Sequence, residues 1–197
     1  MRPHSLLRTI LQPLAVAVVL GFLVRAAVHL YAIPSASMAP TLEAGDQIVV
    51  TRYFRGAPQR GDVVVFESPS VPDELMVKRV IAVPGDLIDS RLGRVRISGY
   101  TLPEPYLLRQ ASSGAVAAQI VPADSYFVMG DNREDSSDSR SWGVVPRPRI
   151  VGRARVMLWR TATPSAGIAG DAARAAAGSG STTRRVRTSG TLFKWIE

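Results

Sequence analysis

Beyond residue 33 this chain never sustains a helical period, and that most limits the folds open to it. It offers instead a series of short β-branched and aromatic runs. These are Ile48-Val49-Val50, Val63-Val64-Val65-Phe66, residues 76–83, Val95-Arg96-Ile97, Tyr126-Phe127-Val128-Met129 and Val156-Met157-Leu158-Trp159. Runs of this length and make-up read as strands. Between them stand Gly45-Asp46, Gly61-Asp62, Pro84-Gly85-Asp86 and Gly130-Asp131-Asn132, the residue types that turns require. The expected fold is therefore mainly β, an antiparallel sheet domain. Residues 87–105 read as a hairpin, with Leu92-Gly93 at its turn and Ser98-Gly99 closing its second strand, so 87–120 is expected to be a small β-hairpin insert.

The apolar content is concentrated near the N-terminus. After Arg2, His4 and Arg8, an apolar run starts at Ile10, and residues 14–24 carry no polar side chain. Arg25 interrupts, and 26–33 continue with His29 as the one strongly polar residue. Such a span approaches the ~20 residues that cross a bilayer. Gln12, Pro13 and Arg25 weaken it, although Arg25 can snorkel at the outer end. A cleavable export signal and a buried core helix are the competing readings, and the lack of a clean small-x-small site before a polar segment argues against the first. The expectation is one transmembrane helix over 10–32, with residues 1–9 as a cytoplasmic tail held by Arg2 and Arg8, and a domain over 33–160 outside the plasma membrane. Arg25, Arg52 and Arg55 oppose that orientation, but long domains cross largely regardless of charge. From about residue 161 the chain turns to Ala, Gly, Ser, Thr and Arg, so 161–197 is expected to be a disordered tail. Its apolar end, Leu192-Phe193 and Trp195-Ile196, is read as frayed, with a weak membrane or partner contact as the other possibility.

Three residue types narrow the chemistry. There is no cysteine, which excludes disulfides, thiolate catalysis and thiolate zinc sites. The two histidines, His4 and His29, both lie at the N-terminal apolar stretch, so the domain has no imidazole for a Ser-His-Asp triad or a metal. Neither metal nor cofactor is expected. Lys78 and Lys194 are the sole lysines in a chain that otherwise uses arginine. A lysine can lose its proton on burial and an arginine cannot, so Lys78 invites a specific reason. The net charge of +8 is spread over scattered arginines, without a basic helix or stacking aromatics, and suits a nearby anionic membrane lipid better than nucleic acid.

Three further strings carry possible chemistry. In Pro34-Ser35-Ala36-Ser37-Met38-Ala39-Pro40-Thr41-Leu42 the prolines favour an extended course, which puts Ser35 and Ser37 on one side. One hydroxyl could attack a carbonyl while the other donates to the oxyanion, yet a serine-rich linker would look the same. In Met76-Val77-Lys78-Arg79-Val80-Ile81-Ala82, a strand sets Lys78 between Met76 and Val80 on one face. Burial there would lower the amine toward the range of a general base, whereas an edge strand would use the same lysine against aggregation. The string from Gly130 to Gly143 is dense in small hydrogen-bonding residues, fitting either a tightly bonded loop or a plain surface one.

Together these strings resemble the boxes of bacterial type I signal peptidases, in family order and over residues 33–159. The resemblance implies an endopeptidase with Ser37 as nucleophile and Lys78 as general base, removing signal peptides from exported preproteins at Ala-x-Ala sites. It implies an oxyanion hole from the Ser35 hydroxyl and the Ser37 N–H, and a Ser136 hydroxyl that orients the lysine. It further implies an Asp138–Arg140 ion pair shaping the loop, Asp131 pairing with Arg79, and Ile33, Met38 and Val77 lining the groove for small substrate side chains. The tail after residue 161 has no counterpart in the family. Two other readings were open: a self-cleaving repressor with the same dyad, which would need a DNA-binding module, and a non-catalytic membrane-anchored β module, against which the intact dyad argues.

Overall fold

The computed structural model describes residues 3–53, 56–107, 114–159 and 194–196. A helix α1 (Pro3–Ala27) leads directly into strand β1 (Val28–Ala32). The helix thus stops at Ala27 and not at residue 32, because Val28-His29-Leu30-Tyr31 pairs along β2 (Gln47–Thr51), with Val28 opposite Thr51 and Ala32 opposite Gln47. The described apolar side chains of α1 point into open space: Ile10 is 64% exposed, Val18 63% and Phe22 72%. Among the described residues, no helix is long and apolar enough to cross a membrane.

The remaining elements are β3 (Val63–Glu67), β4 (Leu75–Ala82), β5 (Leu87–Arg91), β6 (Arg94–Ile97), β7 (Tyr100–Thr101), β8 (Gln119–Ile120), β9 (Ser125–Met129), a single helical turn α2 (Ser139–Trp142), β10 (Val145–Pro146), β11 (Ile150–Trp159) and β12 (Lys194–Trp195). The larger sheet runs β1-β2-β11-β3-β4-β9-β10, with β12 also on β11, and all its pairs are antiparallel. The fold is mainly β and antiparallel, as the runs and turns require.

Strand β3 shows how these runs form a core. Val63 and Val65 enter one buried cluster, with Ile33, Met38, Leu42, Ile48, Val50, Val77 and Met157. Val64 and Phe66 enter another on the opposite face, with Val80, Tyr126 and Val128. A strand covered on both faces has no use for a polar alternation, which accounts for the unbroken apolar run.

The 87–120 insert is a four-stranded sheet of order β7-β6-β5-β8, larger than the hairpin expected. Its β5–β6 turn is the one read from the sequence: Arg91 faces Arg94, and Leu92 (φ 52°) and Gly93 (φ 73°) form the two-residue loop. Positive φ at both positions gives the turn a twist that matches the flanking strands. Ile88, Val95 and Ile97 join Ile81, Phe127 and Met129 in a third cluster, which fixes the insert to the main sheet.

Of the expected tail, residues 161–193 and 197 lie outside the described residues. Residues 194–196 are not frayed: Trp195 faces Val156, Lys194 faces Met157, and Ile196 is 6% exposed in the first cluster. Strand β12 takes up the edge of β11 beyond the point where β3 leaves it, since β3 pairs with residues 150–153 and β12 with 156–157.

Candidate active site

The segment carrying Ser35 and Ser37 is tied at its start to the turn before β2, by bonds from Ile33 N–H to Asp46 O and from Gly45 N–H to Ile33 O, both 2.8 Å. It does not then run extended. Ala39 N–H donates to Ala36 O (3.0 Å) and Leu42 N–H to Met38 O (2.9 Å), folding the stretch into successive turns as Met38 and Leu42 sink into the core. The two hydroxyls still converge, because the turn brings Ser35 Oγ to 3.2 Å from Ser37 Oγ.

Lys78 reaches this turn from the middle of the sheet. Strand β4 lies between β3 and β9, so Lys78 is not on an edge, and it is 3% exposed. Its Nζ donates to Ser37 Oγ at 2.6 Å. Burial pushes the amine down from its ordinary value to about 8, against the opposing pull of Asp138, with Arg140 adding to the depression. A base near that value is partly neutral at mildly alkaline pH and holds a hydrogen bond to the hydroxyl it would deprotonate.

The loop after β9 braces the turn. Asn132 N–H donates to Ser37 O (3.1 Å) and Asn132 Nδ2 to Ala36 O (3.3 Å). Gly130 makes the approach possible: a Cβ there would lie 2.3 Å from Ser136 Oγ and 2.4 Å from Ser37 O. Asp138 caps α2 and is fully buried, with Arg140 Nη2 on Oδ2 and Nε on Oδ1, both 2.7 Å, and Gly130 N–H at 3.1 Å. Burial alone would raise its carboxyl, but Arg140, the Gly130 N–H and the Ser136 hydroxyl together hold it below the ordinary carboxylate range. Ser136 Oγ donates to Asp138 Oδ2 at 2.8 Å. The Ser136 proton is thus committed to Asp138, while the lone pairs of the same hydroxyl stay able to accept from an amine.

Asp131 and Arg79 form a second buried pair, Nη2–Oδ2 2.8 Å and Nε–Oδ1 2.9 Å, in which both side chains are almost wholly enclosed. Arg79 also donates to Gly61 O (2.8 Å) and lies over the Tyr106 ring, 4.1 Å from its centroid. Thr41 donates to Asp131 Oδ2, which links the far end of the Ser37 turn to this pair. Ile33, Met38 and Val77, expected as groove residues, all belong to the first core cluster at 3%, 1% and 5% exposure and present almost no surface of their own.

A family model described as "Signal peptidase, peptidase S26" matches residues 6–159. The chain belongs to this family. It is 43% identical over 137 residues to the signal peptidase I of Leptolyngbya laminosa, covering 64% of this chain and 66% of that one, just under two thirds. It is 39% identical over 163 residues to the probable signal peptidase I-1 of Synechocystis sp., covering 77% and 82%. The signal peptidase IB of Staphylococcus aureus (strain N315) is 33% identical over 166 residues, covering 74% and 86%. Signal peptidases I are membrane-associated in bacteria.

Within this signal peptidase framework, three contributors went unread in the sequence. Asn132 stood inside a quoted string but carried no signal of its own beyond turn propensity. Thr41 and Tyr106 meet Arg79 and Asp131 only through the fold. The buried ion pair between Arg133 and Glu104 likewise spans 29 positions, and nothing local announces it.

Proposed function

We propose that this chain is a membrane-anchored serine endopeptidase that removes signal peptides from exported preproteins after small-x-small sequences such as Ala-x-Ala, with Ser37 as nucleophile and Lys78 as general base. The observation carrying this reading is the 2.6 Å contact between a buried, depressed lysine amine and a serine hydroxyl. In its neutral form Lys78 takes the Ser37 proton as Oγ attacks the scissile carbonyl. The Ser35 hydroxyl and the Ser37 N–H donate to the oxygen that becomes negative. The tetrahedral adduct collapses to an acyl-enzyme, and the lysine returns the proton to the departing amine. Lys78 then deprotonates water, which attacks the ester and frees Ser37. Ser136 acts through Asp138, whose charge lies close enough to Lys78 to influence it. A substrate laid as a strand beside the turn meets a surface behind which Ile33, Met38 and Val77 are already packed into the core, which leaves little depth there for a large side chain.

The proposed anchor is the helical stretch from residue 10 to Ala27, with 1–9 inside and the domain, now beginning with strand β1 at Val28 and running to 160, outside the plasma membrane. The exposed apolar side chains of α1 support this, as does a row of outward apolar residues across the adjoining strands: Leu30 opposite Val49, Val49 opposite Val156, and Val156 opposite Trp195. The purified chain in lipid, incubated with a preprotein carrying an Ala-x-Ala site, should release the mature product, and Ser37→Ala should not. Equal release by Ser37→Ala would defeat the proposal.

A further inference from the structure

Strand β12 lies beyond residue 159, where the match to the family model ends, yet it is part of the main sheet. Its Ile196 N–H donates to Arg155 O at 3.1 Å, continuing the β12 ladder on β11. Strand alternation then sends Trp195 outward, where it is 73% exposed, and Ile196 inward, where it is 6% exposed. The cluster that Ile196 enters contains Met38, the residue after Ser37, and Leu42, whose N–H closes the turn onto Met38 O. Trp195 and Ile196 also line a cleft together with Pro40, Thr41, Arg79 and Tyr106. The nucleophile turn therefore has two supports. The 130–132 loop holds its backbone by Asn132, and its two buried side chains, Met38 and Leu42, belong to the same core cluster as Ile196.

We propose that Ile196 is a positioning residue for the nucleophile: by completing the packing beneath Met38 and Leu42 it holds Ser37 Oγ within hydrogen-bonding distance of Lys78 Nζ. The inference rests on the Ser37–Lys78 reading above. A well-packed interior tolerates a missing side chain poorly, and the gap is passed to whatever the side chain braced. Here that is a turn whose value depends on a contact fixed to within a fraction of an ångström.

The test uses full-length protein in lipid, comparing wild type, Ile196→Ala, Ile196→Val, Ile196→Leu and, as a control far from the site, Leu92→Ala on an Ala-x-Ala preprotein. Ile196→Ala should lower kcat on the order of tenfold with KM little changed, since misplacing a reacting group by about an ångström can cost up to a hundredfold. The midpoint of its rate–pH curve should move up, because a looser turn admits water to Lys78 and relieves the burial that depresses the amine. Ile196→Leu should restore most of the rate, and Leu92→Ala, at the exposed hairpin turn of the insert, should match wild type. A purely structural role would lower Tm and leave kcat and the pH midpoint of the folded enzyme unchanged, which would overturn the proposal. Should Ile196→Ala not fold, Ile196→Val removes a single methyl group and should still lower kcat measurably; an unchanged kcat there overturns it equally. Ser37→Ala runs alongside. If it retains activity, the dyad reading fails; if it is inactive while the Ile196 variants keep full kcat, the positioning role alone fails.

Discussion

A lysine serves as a base near neutral pH only where its surroundings remove the advantage of carrying charge. The sequence signalled that at Lys78, through a lysine kept in an arginine-using chain and flanked by apolar residues on its strand face. Its partner was legible too, since Ser35 and Ser37 stand two apart after the apolar run. The second tier was less so. Ser136 had the residue type of an orienting hydroxyl, but which acceptor takes its proton depends on where Asp138 is buried, and spacing does not reveal that. Gly130 reads in the sequence as an ordinary turn glycine. In the fold it is the point where the loop backbone meets Ser37 O, with no room for a Cβ. Gly130→Ala should therefore displace the turn, costing about 1–3 kcal/mol by overpacking and on the order of a hundredfold in kcat. Chemical denaturation and turnover measured on the same preparation check both figures. Activity within twofold of wild type would show that the contact can relax harmlessly.

Elements with strong local patterns were read correctly. β3 and β9 are continuous apolar runs because both faces are covered, and the Leu92-Gly93 loop is a primed turn with a matching twist. Those fixed by distant partners were missed. β7, β8 and β12 are two residues each, too short for any period, and exist only because another strand's edge offers bonds. The segment carrying Ser35 and Ser37 was expected to be extended on the strength of its prolines, yet it folds into turns once Met38 and Leu42 find the core. The boundary between α1 and β1 falls inside one apolar stretch, where composition cannot separate helix from strand; β2 decides it by pairing from Val28 onward.

For the whole molecule, an exposed apolar helix enters an antiparallel sheet that carries the lysine on an inner strand, beside the turn that holds the serine, while β12 returns to the same core. With the proposed orientation, protease added to intact cells should degrade the domain. Protection in cells followed by degradation after lysis would reverse the topology. The central claim, that Lys78 is the base acting on Ser37, meets its most direct test in the rate–pH curve of the full chain in lipid, measured beside Lys78→Arg. The amine is depressed to about 8 and must be neutral to act, so the rate should be low below that value and rise through it toward a plateau. Lys78→Arg keeps a positive charge that cannot be released, so it should fold and lose cleavage at every pH. A rate flat from pH 6 to 10, or near-normal cleavage by Lys78→Arg, would contradict the assignment.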